Sequence, residues 1–596
     1  MTLEDHAEGT GPHAVPEPQD AVTALPDELE GRGWSPAMVE CGPKIRALAS
    51  LACLPADLPL ASVSYASKGN ALVVGGDERA VHAAVRLARS LPVTLLLTSR
   101  PSAQAAVLAG ADLGDTGFPI WGGKVASLEG YLGNFAVTLS DLATVRDAPG
   151  RGLPQAAAAM FDLVVDFSEP PLFGHHQPPQ GYWRVSDPAS LEAAVEEAQE
   201  AVGEFEKPKF FAYRENLCAH SRSGIEGCSK CIDVCSTEAI AADGDHVSVD
   251  AHLCMGCGAC ASVCPSGAMS FQFPRVSRRG EQLKSLLAAY REAGGRDACI
   301  VFHNGTDGRD LLARAAAAGG GLPARAIPLE SWHVASVGVD VLLGAVALGA
   351  NQVVVIAAGS EAPEYHASLS EQMALAQTIV SALGFAGRHF VLLETNDAGE
   401  LSAAMEALAP AAVPAVAAAF ALSDDKRTAV EFALDHLAKH SPAPVAEIAL
   451  PAGSPWGEVL VDKEKCTLCL SCAGACPESA LMDGGESPML RFLERNCVQC
   501  GLCERTCPED AITLRPRLLL APSVREARVL NETQPFHCVS CGKPFGTRQM
   551  VDAMLGRLAG HSMFSDPAAL RRLQMCADCR VVDMMSNKNE VSVLKL

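Results

Sequence analysis

The sequence predicts a multidomain fold, α/β plus α+β, in which strand–turn–helix domains alternate with two cysteine-rich modules and a small metal-binding domain follows at the C-terminal end. Three observations predict it. Sixteen of the 23 cysteines fall into two copies of a run that wraps paired iron–sulfur cubes. Two long stretches outside those runs switch from apolar segments of strand length to amphipathic helical spacing. Two Cys-x2-Cys knuckles stand near the end of the chain.

Composition bounds the function. At 596 residues the length suggests about four domains, and 48% apolar content is ample for ordinary cores. The 47 Lys and Arg against 70 Asp and Glu give a net charge of −23, with no basic concentration, so nucleic acid is not expected as a partner. Residues 1–40 are read as an acidic, disordered tail without the apolar region of a signal peptide, which points to a cytoplasmic protein. The longest apolar stretch, 334–358, is interrupted by Asp340, Gly344, Gly349, Asn351 and Gln352, so no membrane span is expected.

Residues 41–206 open the ordered chain. Ala71–Val74 is a buried-strand pattern, Gly75-Gly76 a turn, 78–90 an amphipathic helix and 93–97 a second strand: the start of a Rossmann-like domain. Its dinucleotide fingerprint is degenerate. With Gly75 as the first glycine of G-x-G-x-x-G, Asp77 stands at the second and Ala80 at the third. A carboxylate at Asp77 fills the space pyrophosphate needs and repels it, so FAD is not expected, and Asp77 is read as a helix N-cap. Further on, Gly130-Tyr131-Leu132-Gly133-Asn134-Phe135-Ala136-Val137 resembles the G-Y-x-G-N-F-x-V segment of the heterodisulfide reductase A subunit. That resemblance implies a flavin and iron–sulfur protein whose Rossmann-type domain precedes its clusters; Asp77 is where this chain departs from it.

Residues 207–274 hold the first cysteine module. Cys254, Cys257, Cys260 and Cys264 with Pro265 form an intact C-x2-C-x2-C-x3-C-P run. The other half has Cys228, Cys231 and Cys235, but Ile225 stands where its first ligand belongs and Ser236 where proline is usual. Cys218 lies upstream, separated from Cys228 by nine residues rich in Ser and Gly that could loop it back. In such runs three thiolates hold one cube and the fourth crosses to its neighbour. The assignment is therefore Cys218, Cys228, Cys231 and Cys264 for one [4Fe-4S] cluster, and Cys254, Cys257, Cys260 and Cys235 for the other. A [3Fe-4S] centre or an oxygen ligand is the alternative at the Cys218 site.

Residues 275–440 form a second α/β series, with strands at 299–302, 353–356 and 390–393 and helical segments near 309–318, 337–348 and 369–383. The arrangement resembles the delta subunit of methyl-viologen-reducing hydrogenase. In that family cysteines near the strand ends bind a [2Fe-2S] cluster; here His303-Asn304-Gly305 and Ser331-Trp332-His333 occupy those turns and only Cys299 remains, so the domain is read as a docking scaffold.

Residues 441–520 carry the cleaner module: Cys466, Cys469, Cys472, Cys476 with Pro477, then Cys497, Cys500, Cys503, Cys507 with Pro508. These eight positions resemble bacterial two-cluster ferredoxins. By the same crossing rule Cys466, Cys469, Cys472 and Cys507 hold one [4Fe-4S] cluster and Cys497, Cys500, Cys503 and Cys476 the next. Closely spaced thiols in a chain without a secretory signal suit metal better than disulfides. In residues 521–596, Cys538 and Cys541, then Cys576 and Cys579, form two knuckles suited to one tetrahedral ion. Zinc is the expected metal; a single iron or a fifth cluster are the alternatives.

The chain is thus expected to be a cytosolic electron-transfer subunit with four [4Fe-4S] clusters, relaying single electrons between a redox protein partner and a second acceptor. The resemblances suggest a formate dehydrogenase, hydrogenase or reductase as partner. A flavin-dependent oxidoreductase and a cluster-based redox sensor are the competing readings. No hydrolase constellation can be assembled.

Overall fold

Ala71–Gly75 forms an inner strand of a seven-stranded sheet in the computed structural model, which describes residues 42–56, 59–109, 117–146, 158–319, 321–358, 361–485 and 487–586. The tail read over residues 1–40 lies outside these. The strand order is 158–161, 134–146, 120–131, 93–97, 71–75, 163–166, 182–184. The last five in that order are parallel to their neighbours, and the first two are added antiparallel. Such central strands are covered on both faces and read as unbroken apolar runs; Val73 and Leu95 point to one core, Leu72 and Leu96 to another. The Gly130 to Val137 segment is the turn of the long hairpin Ile120–Tyr131 and Asn134–Arg146. Gly133, at φ 81, passes so near Ala66 that a Cβ would lie 2.1 Å from its carbonyl oxygen, so only glycine fits.

The chain enters and leaves this unit through one antiparallel pair, Ser62–Ser67 with Gly203–Pro208. The second α/β series forms a four-stranded parallel sheet in the order 326–331, 299–304, 352–357, 390–394. Ile300, Phe302, Val353 and Val355 face Leu342, Leu343 and Val346, while Cys299, Val301, Val354 and Ile356 face Leu311, Leu312 and Leu401. Cys299 is a fully buried core residue. The helix Gly42–Ala52 departs from the sequence partition: Ala47 and Leu48 enter this second core, and Lys44 Nζ donates to Leu322 O (3.2 Å) and Pro323 O (2.9 Å). Periodicity shows that the helix has an apolar face, not which distant core accepts it.

Each cysteine module pairs its first and last strands antiparallel, Phe211–Tyr213 with Met269–Phe271 and Gly457–Val461 with Ile512–Leu519. Short helices Lys230–Asp233, Ala259–Val263, Ser471–Gly474 and Leu502–Thr506 follow the ligand loops. Arg528–Glu532, placed by sequence in the terminal domain, instead extends the second module by pairing with Met489–Phe492. The modules touch directly: Arg505 donates to Glu226 O, and Gly227 packs on Leu502.

Candidate metal centres

Three of the four ligand loops share one backbone device. Between the first three cysteines of a run, paired left-handed residues turn the chain around a central space: Gly256 and Gly258, Leu468 and Leu470, Gln499 and Gly501. Three residues past each crossing cysteine another left-handed residue redirects the chain: Glu238, Gly267, Ser479 and Asp510. Backbone amides then aim at three of the crossing sulfurs, Met269 at Cys264 (3.4 Å), Ala480 at Cys476 (3.2 Å) and Ala511 at Cys507 (3.3 Å).

The nine residues separating Cys218 from Cys228 fold as a hairpin, Ser221–Arg222 on Ile225–Glu226, turned by Ser223 and Gly224. The hairpin returns Cys228 to its starting point, where its N–H donates to Ala219 O at 2.9 Å. Cys218, Cys228, Cys231 and Cys264 consequently line one cavity, with Tyr213, Val247 and Met269. Cys235, Cys254, Cys257 and Cys260 line a second with Phe211, Ile240 and Tyr365, and Cys476, Cys497, Cys500 and Cys503 a third with Val459 and Phe492. Cys466, Cys469, Cys472 and Cys507 form the remaining group, close enough that, after burial, the other three thiols push Cys472 up to about 12.

The donor chemistry fits cubane iron–sulfur clusters. Burial raises Cys228 to about 11 and Cys257 and Cys500 to about 12, with neighbouring thiols adding to the rise. Thiolates at such sites need a cationic core inside the ring of sulfurs. Among the described residues no three of these sixteen thiols fall within 4.8 Å of one another, so they are not set for one tetrahedral ion. Cys538, Cys541, Cys576 and Cys579 differ: all four sulfurs lie within 4.8 Å, and Cys541 and Cys576 are 3.7 Å apart. A tetrahedral ion with metal–sulfur bonds of about 2.3 Å sets sulfurs about 3.8 Å apart. Burial opposes ionisation of Cys538, but the N–H groups of Cys576, Cys541 and Ser540 outweigh it and bring the thiol down to about 6. The first knuckle is the tip of the hairpin Pro535–His537 with Pro544–Thr547, and the second leads into the helix Ala577–Ser586.

The turn at Gly75, Gly76 and Asp77 does not fit a dinucleotide. Asp77 accepts from Arg79 N (3.1 Å) and Ala80 N (3.3 Å), taking the helix N-terminal amides that pyrophosphate would need. His303 bonds the Asn304 carbonyl and His333 caps Ala335. Two features were not found from sequence. Lys426 Nζ donates to Ala261 O (2.9 Å), Ser262 O (2.5 Å) and Cys264 O (3.0 Å), closing the helix that carries Cys260, while Arg427 reaches Pro265 O on one module and Arg495 O on the other. Tyr365 enters the Cys257 cavity. A basic pair at a helix start has no signature that separates it from a solvated charge pair.

Comparison with known families agrees at both modules. Residues 226–268 and residues 465–512 each match the 4Fe-4S dicluster domain. The putative electron transport protein YsaA of Escherichia coli (strain K12) is 36% identical over 70 residues, 12% of this chain, and the chain spans 42% of that relative's length. The protein is thus an iron–sulfur, metal-binding protein with two 4Fe-4S dicluster domains. No helix among the described residues is long and apolar enough to cross a membrane.

Proposed function

We propose that the chain is an electron-transfer subunit with four [4Fe-4S] clusters, relaying single electrons between a redox protein partner and a second acceptor. The observation that carries this is the convergence of sixteen thiols into four groups within two modules that touch at Gly227 and Leu502. When bound, each cubane supplies a one-electron carrier. The ligand sets are those assigned from sequence, with Cys218 completing the site of Cys228, Cys231 and Cys264. The matched electron transport relative supports the same reading.

The two sheet domains act as docking platforms, the first Rossmann-like in strand order, the second similar to the hydrogenase delta subunit. The family resemblances favour a formate dehydrogenase, hydrogenase or reductase as partner, working in the cytoplasm. Zinc is assigned to Cys538, Cys541, Cys576 and Cys579. Low potentials are expected from the net charge of −23: one carboxylate about 12 Å from a cluster opposes the added electron by roughly 1.4 kcal/mol at an effective dielectric near ~20.

Anaerobic purification with metals, sulfide and flavin counted per chain tests the reading. About sixteen iron atoms, one zinc and no flavin are expected. A yield of eight iron atoms or fewer, or midpoints well above zero in a redox titration, would remove it.

A further inference from the structure

Proline follows three of the four crossing cysteines, at Pro265, Pro477 and Pro508, whereas Ser236 follows Cys235. The turn itself is unchanged, since Glu238 has φ 50 where Ser479 has φ 50 and Asp510 φ 47. The serine is therefore not compensating for a different backbone. Its hydroxyl lies 2.5 Å from the hydroxyl of Tyr365, a residue on the first turn of the helix Pro363–Ala382 in the four-stranded sheet domain. Tyr365 is 1% exposed and packs among Val234, Ala259, Ala335 and Ala362, with His333 edge-on at 5.0 Å. It lines the cavity of Cys235, Cys254, Cys257 and Cys260, and the hydrophobic cluster it belongs to packs directly against Cys257 and Cys260.

The protons can be placed. A thiolate at Cys257 can only accept, so a bond between the two has the Tyr365 O–H as donor, which leaves the Ser236 O–H to donate to Tyr365 Oη at 2.5 Å. We propose that Tyr365, held by Ser236, is a positioning residue that gives the Cys257 sulfur a hydrogen bond and so raises the reduction potential of this one site above what its thiolates alone would set. This rests on the four-cluster reading above. A donor to a ligating sulfur stabilises the more negative, reduced state, and the dry surroundings strengthen the effect. The serine and tyrosine then form a matched pair across two domains, which accounts for the missing proline.

The test uses the anaerobically purified full chain with its clusters, in a redox titration followed by electron paramagnetic resonance. In Tyr365→Phe, which keeps the ring, iron content is expected to stay the same and one of four midpoints to fall. The ratio of reduced to oxidised centre at the former midpoint should drop about tenfold, equivalent to about 59 mV for one electron. Ser236→Ala should move the same midpoint in the same direction by less. In D2O the reduced wild type should show an exchangeable deuteron coupled to this centre, and Tyr365→Phe should lose it. Unshifted midpoints with a retained deuteron coupling would overturn the proposal, as would loss of iron from Tyr365→Phe together with an unshifted Ser236→Ala. A wild type without cubane signals would instead remove the four-cluster reading, and this inference with it.

Discussion

Gly227 and Leu502 meet at the seam between the two cysteine modules, and a Cβ on Gly227 would lie 2.7 Å from Leu502 Cγ and 2.7 Å from Ala219 O. Cys228 follows the first residue and Cys503 the second, so the contact joins two ligand loops. Gly227→Ala is expected to destabilise the holoprotein by about 1–3 kcal/mol, the usual cost of overpacking. Leu502→Ala removes a fully buried side chain, and its cost should be smaller on the Gly227→Ala background than on the wild type, which denaturant unfolding of the four proteins checks. Equal stability of wild type and Gly227→Ala would mean the loops part freely.

Arg517 forms the charged centre of the second module. Its guanidinium binds Glu494 (2.6 and 2.8 Å), Glu458 (2.9 Å) and Glu447 (2.7 Å), with Arg517, Glu494 and Glu458 all buried. Removing the cation leaves Glu458 with Arg515 and Arg528 but Glu494 with Arg528 alone, at 3.5 Å, so Arg517→Met is expected to cost about 3 kcal/mol, the low end for a broken buried pair. Unfolding midpoints in denaturant read this directly.

Glu361 supplies a pH dependence. It is 5% exposed, one oxygen accepts from Asn304 Nδ2 at 3.2 Å and the other has no hydrogen-bond partner among the described residues; burial pushes the carboxyl up to about 7. A carboxyl raised on folding stabilises fully below its unfolded value and loses that contribution as pH rises through the folded one. Between about pH 4.5 and 7 the wild type should therefore lose up to about 3 kcal/mol from this group. Glu361→Gln should be flat across that window and the more stable protein at pH 8. Parallel melting curves decide it; a wild type whose stability at this site rises with pH contradicts the assignment.

Stripping a metal from the terminal four-thiolate site is expected to leave the two dicluster modules loaded. The tail rests on the second module through Thr547, whose buried hydroxyl donates to Thr467 O at 2.7 Å, and through Arg557 with Glu509. Its helices are short, and a structural zinc would supply about 10–16 kcal/mol of their folding energy. A zinc chelator, or Cys541→Ser, should make residues 548–586 sensitive to protease while iron content stays constant. Loss of iron in step with zinc would show that the four-thiolate site and the neighbouring Cys466 loop fold as one.

Much of the site was legible because ligand spacing is a local property. The run itself predicts that Cys264, Cys235, Cys476 and Cys507 cross between sites, and the Ser- and Gly-rich insertion on which the expected return of Cys218 rests is the hairpin Ser221–Arg222 with Ile225–Glu226. The apolar runs 71–74, 353–356 and 390–393 identified strands, while the strand Ala326–Ser331 escaped notice because Pro328 and Glu330 break its pattern. Long-range choices were illegible: that Gly42–Ala52 packs on the second sheet domain, that Arg528–Glu532 pairs within the second module, and that Tyr365 reaches Ser236. Each depends on complementarity between residues far apart in the chain, which no window of sequence contains.

The pair Ser62–Ser67 and Gly203–Pro208 has a practical consequence for dissecting the molecule. Because Ser67 and Gly203 end side by side, the whole intervening unit can be cut out in cloning and the cut closed with a tight β-turn, without stretching the remainder. Such a miniaturised version, with Val63 and Phe205 replaced by polar residues where they lose their cover, would assign to the excised unit whatever partner selectivity disappears with it.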